Sequence, residues 1–334
     1  MTPILLIILV IFSSPCIGAF SISYGGSEWT LTEVISTEST SNSFHPTIAV
    51  NDTLHIIWVD ETDYLGAGTD ADIFYKRSES STTEVISTES TSDSLYPNVK
   101  IGTHIYVTWV DYTDYLGAGT DADIFYKRSE SSTTWTTTEV ISTESTADAY
   151  SPILASNQID QKSAVWVDET DYLGAGTDAD IFFKHPNDTL ELVSTESTSN
   201  SDTPSLVNKN NVIHIAWVDR TDYLGAGTDA DIFYKRWNAT TGTWTPTEVV
   251  STESTSNSYT PALAVDYYYE EVHIVWEDWT EYDDAGTDAD IFYKKLKRQE
   301  PTAATPGFTW LIISTALWTI ALILIINKDR KVRR

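Results

Sequence analysis

Cysteine is almost missing from this chain. The single one, Cys16, lies in an apolar leader, so the rest holds no disulfide framework, no thiolate nucleophile and no cysteine-based metal site. Cationic side chains are scarce too: 20 Lys and Arg stand against 49 Asp and Glu, for a net charge of −29 over 334 residues. The last seven residues contribute +4 to that total, so the remainder carries −33. A field of that sign repels phosphate backbones, which excludes nucleic acid as a partner and favours cation binding or solubility in a salty exterior. Helical periodicity is lacking between the termini, leaving strands and turns to build the body.

Long apolar runs occur only at the ends. Pro3 to Phe12, followed by small residues up to Gly18 and Ala19, reads as a signal peptide over 1–19. Gly307 to Ile326 is twenty residues without a charge, long enough as a helix to span about 30 Å of hydrocarbon. Lys328, Arg330, Lys331, Arg333 and Arg334 follow, and the positive-inside rule keeps them in the cytoplasm. The expected organisation is therefore a body over 20–298, a linker over 299–306, a transmembrane helix or sorting signal over 307–326, and a basic cytoplasmic tail over 327–334. The body sits outside the cell membrane. Thr305-Pro306-Gly307-Phe308-Thr309 with its apolar run and basic end resembles archaeal PGF carboxy-terminal sorting signals. That resemblance implies processing by an archaeosortase-like enzyme and a lipid in place of the helix.

Between the ends the chain repeats. Thr62–Phe74 recurs letter for letter at Thr113–Phe125, Thr170–Phe182 and Thr221–Phe233, with a fifth variant at Thr280–Phe292. Each unit offers four short strands: Pro46–Val50, His55–Val59, Ile73–Arg77 and Thr83–Ser87 in the first, separated by polar turns. The tryptophans of the second strand, Trp58, Trp109, Trp166, Trp217 and Trp276, are 51, 57, 51 and 59 residues apart. Four antiparallel strands in about fifty residues make one propeller blade. The predicted fold is all-β, a five-bladed β-propeller. The fifth unit lacks an outer strand, and residues 29–36, which match the outer strands Trp135–Ser142 and Trp244–Ser251, are expected to supply it and close the ring.

The pattern of Trp, one residue, Asp, then Asp-Ile-Phe-Tyr-Lys resembles the sialidase-like propellers with degenerate Asp-box repeats; Ser129–Trp135 and Tyr24–Trp29 keep parts of the box. Sialidase activity, as that resemblance implies it, needs three converging arginines, a Tyr–Glu nucleophile pair and an Asp acid. Here Arg77, Arg128 and Arg236 occupy equivalent places, which spreads them around the ring, and no unit carries a unique acid, base or nucleophile. A glycosidase also needs a carboxylate pair about 5–10 Å apart at one point. The sequence points instead to a non-catalytic cell-surface domain binding extracellular glycans or partner proteins. A sialidase-like glycoside hydrolase and a structural envelope component are the alternatives.

The acidic loops carry the candidate metal ligands. In unit one these are Asp60, Asp63, Asp70 and Asp72; in the next three, Asp111, Asp114, Asp121, Asp123, then Asp168, Asp171, Asp178, Asp180, then Asp219, Asp222, Asp229, Asp231. The fifth offers Asp278, Glu281, Asp288 and Asp290. Ca²⁺ takes six to eight hard oxygens, and an acidic glycine-containing loop supplies carboxylates and carbonyls. Aspartates also cap turns by accepting from backbone N–H groups, so ion binding and turn capping stand side by side. The inner strands differ between units while the loops do not, and a shared ion site or a five-fold ligand surface would each explain that. His55, His214 and His273, three residues before the tryptophan, and His104, five before it, read as packed strand histidines, whereas Trp237, Trp244 and Trp279 break the repeat and are candidates for ligand contact. Asn51, Asn187 and Asn238 head glycosylation sequons on predicted turns.

Overall fold

The computed structural model describes residues 30–296, apart from 79, 132–133, 157–161, 267–270, 285 and 287. The expected signal peptide and the apolar segment 307–326 lie outside the described residues. Among those described, no helix is long and apolar enough to cross a membrane.

Residues 30–37 belong to a unit of their own and contain no strand, with Leu31 and Val34 exposed. The second unit is all β. Its first sheet is a meander of β1 (Ser43–Val50), β2 (Leu54–Asp60), β3 (Asp72–Arg77) and β4 (Thr83–Val85). The second holds β5 (Ser94–Ile101), β6 (Ile105–Asp111), β7 (Asp123–Arg128) and β8 (Glu139–Val140). The third holds β9 (Ala149–Ser156), β10 (Lys162–Asp168), β11 (Asp180–Lys184) and β12 (Leu190–Leu192). In the fourth, β13 (Ser201–Lys209), β14 (Val212–Asp219) and β15 (Asp231–Asn238) are followed by two short strands on β15, β16 (Thr243–Trp244) and β17 (Glu248–Val249). The fifth has three strands, β18 (Ser258–Val265), β19 (Val272–Asp278) and β20 (Asp290–Leu296). Five successive antiparallel meanders are the arrangement of a five-bladed β-propeller.

A proline stands in the innermost strand of every sheet, where a missing N–H would normally break the ladder. Each lies beside a register shift, as between Phe44 and Thr47, where the preceding residue takes a positive φ: His45 at 48°, Tyr96 at 52°, Ser151 at 54°. The bulge lifts proline out of the ladder and turns the strand.

The sheets pack face to face by one rule. The Trp/Phe face of each sheet covers the Ile/Val/Tyr face of the sheet before it. Trp109 and Phe125 cover Ile57, Val59, Ile73 and Tyr75; Trp166 and Phe182 cover Ile124 and Tyr126. Trp217 and Phe233 cover Val165, Ile181 and Phe183, and Trp276 and Phe292 cover Val218, Ile232 and Tyr234. Fully burying each such side chain contributes roughly 1.5–3 kcal/mol. The last sheet has nothing on its far face among the described residues: Ile291 is 73% exposed and Tyr293 54%, while Ile73, Ile124, Ile181 and Ile232 are all 0%. Ile48 and Val50 of the first sheet are likewise exposed.

Polar staples join the same neighbours. Lys127 at the end of β7 donates to the Ile86 carbonyl at 2.8 Å and to Thr88 Oγ1 at 2.6 Å, and pairs with Glu89 at 2.7 Å. Lys184, Lys235 and Lys294 repeat this on Ile141, Val193 and Val250. The Ile-Ser-Thr-Glu linker leaving each sheet is thus fastened by the lysine of the next, and the buried charge is matched by a carboxylate and a carbonyl. Replacing Lys127 with Met leaves both acceptors without their donor. Urea unfolding should show a loss of about 1–3 kcal/mol. Lys76→Met should cost less, since Lys76 lies 3.5 Å from its partner Glu38.

Candidate functional site

Each acidic loop is a hairpin connection between the second and third strands of its sheet. In the first, Ala67 N–H donates to the Tyr64 carbonyl at 3.1 Å across Leu65 (φ 57°) and Gly66 (φ 85°), a turn with two left-handed residues. Asparagine, aspartate and glycine usually fill such positions. Here leucine stands at the tip and is exposed, as are Leu116, Leu173 and Leu224 in the next three loops. The fifth loop has Asp283 and Asp284 there.

The structure divides the four carboxylates of each loop into separate roles. Asp60, at the end of β2, is fully buried and accepts four hydrogen bonds: Trp58 Nε1 at 3.0 Å, Ser43 Oγ at 2.6 Å, Ser39 Oγ at 2.9 Å and Thr62 N at 3.1 Å. Asp111, Asp219 and Asp278 accept the same set, and Asp168 all but the strand-one serine, where Ala149 stands. Burial pushes Asp60 upward, but these bonds outweigh it and hold the carboxyl below its usual range. This aspartate ties the incoming Ser-Thr turn, the core tryptophan and the loop together. Asp63 is exposed and caps the loop, accepting from Gly68 N at 3.4 Å; Asp114, Asp171 and Asp222 do the same. For these two positions turn capping is the role observed.

Asp70 and Asp72 differ. Asp72 opens β3 opposite Asp60 and accepts one bond, from Ser87 Oγ at 2.6 Å. Its second oxygen is buried with no hydrogen-bond partner, and so are those of Asp123, Asp180, Asp231 and Asp290. The matching oxygens of Asp70, Asp121 and Asp178 are in the same condition. Burial pushes Asp72, Asp123 and Asp180 up to about 7 and Asp231 to about 6, against one serine hydroxyl each, with the adjacent Asp70, Asp121, Asp178 and Asp229 adding to the rise.

Among the described residues no loop brings three acidic or histidine side chains together. The one such group is Asp266, Glu271 and His273 beside the β18–β19 turn, which spacing in the sequence did not suggest. Three of the four histidines expected to pack in strands do so: the rings of His55, His214 and His273 stack on Tyr75, Tyr234 and Tyr293 and bond their hydroxyls at 2.7–2.8 Å, whereas His104 lies in the β5–β6 turn beside Thr103. Burial and the Arg236 charge lower His214 to about 4. Asn51 and Asn187 are exposed on turns and Asn238 is exposed at the end of β15, each accepting from the N–H two residues on.

The departures from the repeat converge in one place. Where the other sheets carry Arg77, Arg128, Arg236 and Lys295 after the repeated lysine, the third carries His185. It is buried, with Nε2 3.2 Å from the Glu191 carboxylate and its ring 4.6 Å from that of Trp237. Trp244 donates its Nε1 to the same glutamate. His185, Glu191 and Trp237 border a cavity of about 330 Å³ that is also lined by Asn187, Asn208 and Asn211. Asn208 Oδ1 there is buried without a hydrogen-bond partner. Glu191 is the one carboxylate of its lining. A larger hollow of about 670 Å³, lined by His214, Arg236 and Trp244, also has a single carboxylate, Glu248. Of the three off-repeat tryptophans, Trp237 and Trp244 are therefore half-buried wall residues, and Trp279 is exposed. His185 was the missed residue, and comparing the units at that position is the signal that finds it.

No family model matches the chain, and neither does any curated protein. Solved structures do. A thermostable family-43 glycoside hydrolase aligns with 77% of this chain and 90% of its own at 11% identity and a TM-score of 0.41. An endo-arabinase from Bacteroides thetaiotaomicron covers 76% and 94%, at 12% identity and 0.41. An α-L-arabinanase from Cellvibrio cellulosa, complexed with arabinohexaose, covers 77% and 92%, at 9% and 0.37.

The division of the loop carboxylates is testable by paired substitution. Asp111→Asn turns an acceptor into a donor amid four donors and should cost about 2–4 kcal/mol in urea unfolding. Asp114→Asn, on the exposed cap, should cost under about 0.5 kcal/mol.

Proposed function

We propose that this chain is a non-catalytic binding propeller, displayed outside the cell membrane by its carboxy-terminal segment, and that its ligand is an extracellular glycan. The observation that carries this reading is the cavity around His185. It offers what a sugar needs: the aromatic surface of Trp237, amides from three asparagines, and the waiting acceptor Asn208 Oδ1. A glycosidase needs two carboxylates around the scissile bond. This cavity has one, Glu191, which already accepts a hydrogen bond from Trp244 and lies 3.2 Å from His185 Nε2. A partner protein is the second reading, favoured by the four exposed leucines at the loop tips. In those left-handed positions leucine costs on the order of 1 kcal/mol, and the fifth loop makes its turn without it.

A glycan array probed with the full-length chain tests this. We expect binding to a restricted set of oligosaccharides, weakened at least tenfold by Trp237→Ala or Asn208→Ala, with no release of reducing sugar. Hydrolysis abolished by Glu191→Gln would establish the glycosidase alternative instead. A blank array combined with ordered self-assembly would establish a structural envelope component.

A further inference from the structure

We propose that each acidic loop holds one Ca²⁺ ion between its last two aspartates: Asp70 and Asp72, Asp121 and Asp123, Asp178 and Asp180, and by the repeat Asp229 with Asp231 and Asp288 with Asp290. This goes beyond the sugar-binding reading and stands without it. It also narrows the candidate ligand set, because the Asp60 and Asp63 positions are already engaged by protein donors.

Three independent features meet at the pair. Asp72 is 1% exposed, as are Asp123 and Asp180, and each keeps one buried oxygen without any hydrogen bond. Buried carboxylate oxygens are costly unless a donor or a metal meets them. The adjacent carboxylate has the same defect, since Asp70, Asp121 and Asp178 each bury an unpartnered oxygen beside it. Finally, the loop backbone is shaped around that neighbour. Gly68 sits at φ 108°, and a Cβ there would lie 2.6 Å from Asp70 Oδ1. The corresponding distances at Gly119, Gly176, Gly227 and Gly286 are 2.5, 2.9, 2.7 and 3.0 Å. The glycine leaves room for a carboxylate folded back over the loop, and any side chain there would displace it.

The surrounding charge is of one sign. The charged groups that bear on Asp72 are Asp70, Asp111 and Asp93, all acidic. Lys76, on the same strand, pairs with Glu38. A dication supplies the counter-charge these carboxylates lack. The donors on offer are oxygens alone, which selects hard cations over Zn²⁺ or Cu²⁺. Two carboxylates in an irregular glycine loop, completed by carbonyls and water, suit the loose coordination of Ca²⁺ better than the strict octahedron of Mg²⁺.

The test uses the full-length chain, stripped with chelator and returned to CaCl₂. The melting midpoint should rise by at least about 5 °C at saturation. Terbium should bind with tyrosine-sensitised luminescence that Ca²⁺ displaces, from Tyr64, Tyr115, Tyr172 and Tyr223 in the loops. A variant carrying Asp72→Asn, Asp123→Asn, Asp180→Asn, Asp231→Asn and Asp290→Asn should lose the calcium shift and the terbium signal. Its midpoint in chelator should equal or exceed that of the native chain, because neutral amides remove the buried like charges. The matching set at Asp63, Asp114, Asp171 and Asp222 should keep both responses. An unchanged midpoint in Ca²⁺, or a calcium response that survives the first variant, overturns the proposal.

Discussion

Asp60 and its four counterparts are the joints on which each sheet turns. One buried carboxylate ends the second strand, holds the indole N–H of the core tryptophan, and gathers two serines and a threonine N–H from the turn entering the sheet and the loop leaving it. Such a charge would be ruinous without its donors. With four of them it fixes the tryptophan rotamer, while the alternation of the strand sets the face on which the indole stands. The order of packing, Trp face on Ile/Val/Tyr face four times over, uses an indole held in that one orientation.

The joint also explains why the loop letters hardly vary while the inner strands do. An inner strand needs only apolar residues on one face and a proline at its bulge, conditions that Thr47-Ile48-Ala49-Val50 and Ser205-Leu206-Val207-Asn208 both meet. A loop residue that must donate or accept at a set distance has no such freedom. Part of the invariance that suggested an ion site therefore belongs to hydrogen bonding at Asp60 and capping at Asp63. What hydrogen bonding leaves unexplained is Asp70, Asp72 and the glycine beneath them.

Strands and the sheet count were legible in the letters because each unit states the same period-two pattern five times, although β1 begins at Ser43, three residues before the expected Pro46, because a bulge carries the strand past the proline. The staples were not. Ser-Thr-Glu-Ser-Thr reads as a polar turn, and only the packed sheets show that Glu89 faces Lys127 and that Ser87 and Ser90 serve aspartates in two different sheets. The cavity was hidden for the opposite reason. Reading by repetition draws the eye to positions that recur, whereas His185, Trp237 and Trp244 matter by not recurring. A ring of equivalent units presents equivalent surfaces, so a ligand bound at one place needs a break in the symmetry, and the third and fourth sheets supply it at their shared rim.

The two outer faces pose a last constraint. Four times the chain covers an Ile/Val/Tyr face with the Trp face of the next sheet, and the fifth such face, with Val275, Ile291 and Tyr293, is the one left uncovered. Its complement exists in the same molecule, on the first sheet, whose Ile48 is exposed while its counterparts Val99 and Leu154 are buried. Either sheet could meet its complement within the chain or in another copy. The internal encounter is unimolecular, whereas pairing with a second copy depends on concentration. It also leaves no apolar face open to further addition, whereas copies joined head to tail would extend without limit.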